Sequence, residues 1–185
     1  YVGMLYEYDP NKGKRKEKPI NFKECKDYVL EKYKPISKEG YEADDTASVE
    51  ATKYLNKGQL YILVTVDKDW QIIGGLFYSM IHKHVKSISR FEACEFFNTQ
   101  LLTGDTVDNI PGIKGVGIVK ATKLLKDKDL TKQFESIIRL YKKHYPEDYI
   151  ERLNVMGKML YLVKDYKDNS DWNIDYWKDF ISNVK

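Results

Sequence analysis

Residues 101–125 read LLTGDTVDNIPGIKGVGIVKATKLL, and the stretch sets two chemistries side by side. Asp105 and Asp108 stand three apart in a polar turn, a spacing that lets two carboxylates face one metal ion. Pro111, Gly112, Ile113, Lys114, Gly115, Val116 and Gly117 follow, and then a lysine-containing helical run. Glycines there leave backbone N–H groups open to a phosphate, and a helix start favours an anion. Metal-holding acid beside a phosphate cradle points to metal-assisted chemistry on a nucleic-acid backbone. Two plainer readings use the same residues. Asp105 and Asp108 also suit a turn around Gly104, and the Gly115-x-Gly117 step also suits a tight connection between helices.

Further acids lie upstream at element junctions. LYILVTV at 60–66 is a near-continuous apolar and β-branched run, the pattern of a strand covered on both faces. Asp67 and Asp69 follow it at i and i+2, leaving the same face of the sheet edge. Ligands in open α/β sheets bind just beyond the carboxyl ends of strands. Glu42, Asp44 and Asp45 open a helix whose expected buried stripe is Ala47, Ala51, Tyr54 and Leu55. Acids at a helix start also serve capping and the helix dipole, and Asp-x-Asp is also a common turn. Collected together, seven carboxylates repel one another without a counterion, and hard divalent cations take all-oxygen shells. Two such ions roughly 4 Å apart activate water and stabilise the leaving oxygen in phosphodiester cleavage.

The remainder of the chain frames these motifs. An apolar face at Phe22, Cys25, Tyr28, Val29, Leu30 and Tyr33 predicts a first helix, and one or two strands are expected within 76–88. Ser89 and Glu92 form a capping-box pattern for a helix to about residue 102. Helices are expected at 121–125, 131–145 and 149–163, with a docked end carrying Trp172, Tyr176, Trp177 and Phe180. Alternating helix and buried strand predicts an α/β sandwich on a mostly parallel sheet. The 185 residues are 42% hydrophobic and 32% charged, which excludes a largely disordered chain. No apolar run approaches the ~20 residues of a membrane span, so a cytoplasmic monomer, away from membranes, is the expectation. Cys25 and Cys94 lack metal-ligand spacing and are expected reduced in helices. The basic run KGKRKEK at 12–18 reads as a solvated loop or as a clamp on a nucleic-acid strand. Lys12, Lys14, Arg15 and Lys16 are its candidate contacts. His82 and His84 read as a solvated strand edge.

These residues resemble the 5′ nucleases: flap endonucleases, the 5′→3′ exonuclease domain of bacterial DNA polymerase I and phage 5′→3′ exonucleases. EADD at 42–45, the strand with DKD at 67–69, GDTVDNIPGIKGVG at 104–117 and the helix after it carry the resemblance, in matching order. It spans about residues 9–125. It implies a PIN-like α/β core over 1–100, then a helix-three-turn-helix and C-terminal helices over 101–185. It also implies that Glu42, Asp44, Asp45, Asp67, Asp69, Asp105 and Asp108 hold two magnesium or manganese ions, with Asp45, Asp67 and Asp69 central to the chemistry. Lys114, Gly115, Val116, Gly117 and Lys120 are implied to grip duplex DNA near a 5′ end or flap, with a potassium ion at the hairpin carbonyls. PIN-type ribonucleases share the acid sandwich and lack that hairpin.

One departure from the family pattern stands out. The family opens with a strand carrying an aspartate ligand and an early basic residue on the arch. Nothing ahead of Tyr1 supplies either, and the chain begins without Met. The expectation is a 5′ nuclease of phage type, in the host cytoplasm if phage-encoded, without its first strand. The alternative is a non-catalytic DNA-binding remnant or a partial subunit completed by a separate piece.

Overall fold

Strand β1 (Ile62–Thr65) alternates outward Ile62 and Val64 with inward Leu63 and Thr65. In the computed structural model, which describes residues 17–166 and 172–184, β1 runs parallel to β2 (Gly75–Ser79). Leu63 lies opposite Phe77 in that register. β2 pairs antiparallel with β3 (His84–Ile88), and the order is β1-β2-β3. The expected mostly parallel sheet is therefore mixed among the described residues. A tight turn, closed by the Lys83 N–H on the Ser79 carbonyl at 2.7 Å, joins β2 to β3. A connection so short permits only an antiparallel pair.

Among the described residues, one face of the sheet is covered, not both. Leu63, Phe77 and Ile88 pack with Ala51, Ile73 and Ala93 in a small apolar cluster. On the opposite face Val64 is 54% exposed, against 7% for Leu63. The apolar run was real, but the described helices pack against one side only.

Helix α1 (Phe22–Tyr33) buries none of its residues, so its predicted apolar face meets no partner among the described residues. Helix α2 (Ala43–Asn56) buries Thr46, Ser48, Val49 and Ala51, while Tyr54 and Leu55 stay exposed. Its full burial ends at Ala51, and segment 161–166 docks on its first half. The Val163 N–H donates to Asp45 at 3.2 Å, and Lys164 Nζ lies 3.4 Å from Ser48 Oγ. Both contacts join residues far apart in sequence, so the local pattern did not carry them.

Helix α3 (Arg90–Thr103) starts at the predicted capping box. Ser89 Oγ accepts from the Glu92 N–H at 3.1 Å, and Glu92 returns the bond to the Ser89 N–H at 2.7 Å. A cap of this kind stabilises by about 1 kcal/mol. Ala93 of α3 joins the small cluster, while its Phe97, Leu101 and Leu102 join the large one. The expected division after residue 100 falls inside this helix. The large cluster gathers residues of α4 (Ile118–Leu125), α5 (Leu130–His144), α6 (Tyr149–Leu160) and α7 (Ile174–Ser182). The C-terminal end docks as expected. A buried polar chain runs from Trp177 Nε1 to Asn98, from Asn98 to Gln133 and from Gln133 to Glu95, at 3.0, 3.1 and 2.9 Å. Cys25 and Cys94 are free thiols in helices, and burial pushes Cys94 up to about 11.

Candidate functional site

The chain leaves β1 through a turn built by its own side chains. Thr65 Oγ1 accepts from the Asp67 N–H, and Asp67 Oδ1 accepts from the Asp69 N–H, both at 2.9 Å. Asp67 thus seeds the single 3-10 turn Asp69–Ile72. Trp70 in that turn donates its indole N–H to Asp44 Oδ1 at 2.7 Å, which draws the start of α2 to the end of β1. From α3, Gln100 donates to Asp69 Oδ1 at 2.7 Å. Lys68 Nζ bridges Asp69 Oδ1 at 2.9 Å and Asp105 Oδ2 at 2.5 Å.

Asp105 belongs to a small hairpin, β4 (Gly104–Asp105) with β5 (Ile110–Pro111), set directly after α3. Its Oδ1 accepts from the N–H of Val107 at 2.7 Å and of Asp108 at 3.4 Å. Close backbone approach makes this placement possible. A Cβ at Gly104, whose φ is +67°, would lie 2.2 Å from the Ile110 carbonyl oxygen. A Cβ at Gly112 would lie 2.2 Å from the Thr103 carbonyl carbon. Gly115 and Gly117 have open space around the Cβ position, but Gly115 holds φ +78°, so the backbone here requires glycine at 104, 112 and 115 and not at 117.

The electrostatics join all seven acids. Burial and then repulsion from Asp45, Asp44 and Asp108 raise the Glu42 carboxyl above its ordinary range. Burial raises Asp44, the Trp70 hydrogen bond opposes this, and Asp67, Asp45 and Asp108 raise it further. Asp69 is raised by burial, against the Lys68 hydrogen bond and charge, with Asp105 and Asp67 adding to the rise. Asp105 goes the other way: burial would raise it, but Lys68 and the Val107 and Asp108 N–H groups hold it low. Asp45 also serves the fold, its oxygens accepting from the N–H of Val163 at 3.2 Å and of Glu42 at 3.4 Å.

The cluster suits a hard cation in donor chemistry, being oxygen throughout. It already grips one positive group, the Lys68 ammonium shared by two carboxylates. Among the described residues no three His, Cys, Asp or Glu converge to hold one ion as they stand. Asp44, Asp45, Asp69 and Asp105 each accept from a protein donor instead: Trp70, Val163, Gln100 with Lys68, and Lys68.

A groove of about 950 Å³ is lined by Lys68, Asp105, Thr106, Gly117, Ile118 and Lys126 among others. Gly117 is the residue before α4, whose first N–H groups no side chain caps. Lys114, Gly115, Gly117 and Lys120 are exposed and Val116 is half-buried. Lys120 Nζ donates to the Gly115 carbonyl at 2.7 Å, so the cation on that hairpin carbonyl in this structure is the protein's own ammonium. The candidate contacts Lys12, Lys14, Arg15 and Lys16 lie outside the described residues. His82 and His84 are exposed at the β2–β3 turn, away from these contacts. Sequence reasoning missed Lys68, Trp70, Gln100 and the 161–166 segment. Lys68 carried a signal, standing between two acids, whereas the others become neighbours only through the fold.

Comparison with known proteins follows the same lines. No family model matches the chain. A 5′-3′ exonuclease of Aquifex aeolicus is 30% identical over 135 residues, covering 68% of this chain and 47% of that protein. The DNA polymerase I of Caldicellulosiruptor bescii is 30% identical over 141 residues, covering 65% of this chain and 17% of that protein. The chain therefore spans less than half the length of these curated relatives. A T5 protein co-crystallised with metal ions superimposes with a TM-score of 0.60 at 17% identity, covering 99% of this chain and 78% of that one. The zinc-bound T5 5′-exonuclease gives 0.56 at 18% identity, covering 91% and 72%. The α/β fold, with seven helices and a small sheet among the described residues, is that of these T5 structures.

Proposed function

The chain belongs to the 5′ nuclease family, and on that premise we propose that it hydrolyses DNA phosphodiesters near a 5′ end or flap with the help of divalent metal ions. One observation carries the reading. A single groove is lined both by Lys68 and Asp105, which contact each other, and by Gly117 and Ile118 at the uncapped start of α4.

Each part has its own task. N–H groups at residues 115–118 meet a backbone phosphate, with Lys114 and Lys120 adding positive charge, and such contacts fix register without reading base sequence. Asp67, Asp69, Asp105 and Asp108 would hold two ions, magnesium or manganese, with Glu42 and Asp44 completing the set. Bound there, the ions supply Lewis acidity toward the scissile phosphodiester and lower the pKa of attacking water. Asp45 acts by positioning, tying the α2 start to segment 161–166. A helix-three-turn-helix describes α3, the intervening turns and α4 in this reading.

The rival reading, a duplex-binding module without catalysis, draws on the absence of any three converging acids among the described residues. One reaction separates the two: the chain, a labelled 5′-flap duplex and manganese. Expected is a short 5′ product that a chelator suppresses. The variant Asp67→Asn with Asp69→Asn should give none while still binding duplex. Retained binding with no product from the unaltered chain would favour the rival, and product surviving both chelator and the double variant would remove the metal assignment.

A further inference from the structure

We propose that the Lys68 ammonium is the built-in counterion of the carboxylate cluster, a positioning residue that a divalent cation must displace on binding, so that Lys68 sets the threshold for metal loading. This rests on the metal-dependent reading above.

The geometry is specific. Lys68 Nζ meets Asp69 Oδ1 at 2.9 Å and Asp105 Oδ2 at 2.5 Å, joining the end of β1 to the β4–β5 hairpin. The Asp105 side chain is only 4% exposed, and a carboxylate so placed needs a counter-charge. Its other oxygen is served by the Val107 and Asp108 N–H groups, which leaves Oδ2 to a cation. Lys68 itself is 53% exposed, so its ammonium has an open path to water. A buried acid paired with an exposed, flexible base forms an exchangeable contact. One partner is held by the fold while the other can leave without opening the core. A divalent ion brings twice the charge to the same oxygens and prefers carboxylate ligands. Lys68 keeps the metal-free cluster from repelling itself apart, and the same contact competes with the metal.

The test is Mn²⁺ binding to the full chain, read by electron paramagnetic resonance of the free ion and so independent of cleavage. Lys68→Met should bind Mn²⁺ about tenfold more tightly, the scale of one lost charge-assisted hydrogen bond. Lys68→Arg, which keeps charge and reach, should stay near the unaltered chain. Lys86→Met removes a nearby lysine that is bonded instead to Gln71, and should change affinity less than about twofold. Lys68→Gln should tighten binding as well, and it carries the test if Lys68→Met does not fold. A Lys68 that only braced the hairpin would, on removal, weaken Mn²⁺ binding. Unchanged or weakened binding in both neutral variants overturns the proposal and leaves the metal reading standing. Absence of Mn²⁺ binding in every form, the unaltered chain included, overturns both.

Discussion

Two glycine-to-alanine changes in the same 104–117 stretch should have different consequences. At Gly104, alanine must adopt φ +67° with ψ −166°, a conformation nearly confined to glycine that costs about 1–3 kcal/mol, and its Cβ would meet the Ile110 oxygen at 2.2 Å and the Gly112 nitrogen at 2.4 Å. Backbone cannot swing aside as a side chain does, and such overpacking costs about 1–3 kcal/mol more. The sum, about 2–6 kcal/mol, corresponds to a melting temperature lower by roughly 10 °C in a chain of this size. At Gly117 the φ is −91° and nothing lies within 4 Å of an added Cβ, so stability should change by less than about 1 kcal/mol. That methyl would instead stand over the uncapped start of α4. Losing one phosphate contact there should weaken duplex binding about tenfold. Urea unfolding followed by the fluorescence of buried Trp172 and Trp177 measures the first quantity. Anisotropy of a labelled duplex at fixed salt measures the second. If Gly117→Ala unfolded as readily as Gly104→Ala, or bound duplex as well as the unaltered chain, the division between fold-holding and ligand-facing glycines would be wrong.

Other consequences follow from the charges. The Asp44 pKa is raised in the fold, so Asp44 adds stability when protonated and loses it as pH rises above 3.8. In metal-free buffer, melting of the unaltered chain should therefore fall relative to Asp44→Asn across that rise, and a flat difference would refute it. Burial pulls Lys164 down to about 8, so its charged form is disfavoured in the fold. Stability relative to Lys164→Met should increase as pH climbs from about 8 to 10.5, measured by thermal melting; a decline would contradict the burial argument. Trp177→Phe removes the donor to Asn98 Oδ1 in a fully buried chain, and should cost about 1–3 kcal/mol in urea unfolding, with an unchanged midpoint counting against it.

Much of the site was legible before any tertiary contact was known. Acids at 42–45, 67–69 and 105–108 each sit where an element starts or ends, and termini carry unpaired backbone groups that polar side chains serve. The capping box at Ser89 and Glu92 was legible for the same reason, because its partners lie within one turn. Less was readable where both faces of an element had to be assigned. The 60–66 run has apolar residues on both sides, and only packing shows that one side is covered. Helix α2 was misjudged in its second half, where Tyr54 and Leu55 stay exposed, since segment 161–166 docks on the first half and its Val163 lies 118 positions from Asp45.

Sequence alone determined the chemistry available to this protein: carboxylates in three short groups, glycines before a lysine-bearing helix, and a hydrophobic pattern sufficient for an α/β core. Those are properties of neighbouring residues, governed by local geometry and periodicity. Tertiary structure decided how the groups are used. It put Lys68 between Asp69 and Asp105, tied Asp44 to Trp70 and Asp45 to Val163, and lined one groove with both Asp105 and Gly117. Such pairings form between chain segments whose separation only folding closes, so no local pattern encodes which donor reaches which carboxylate.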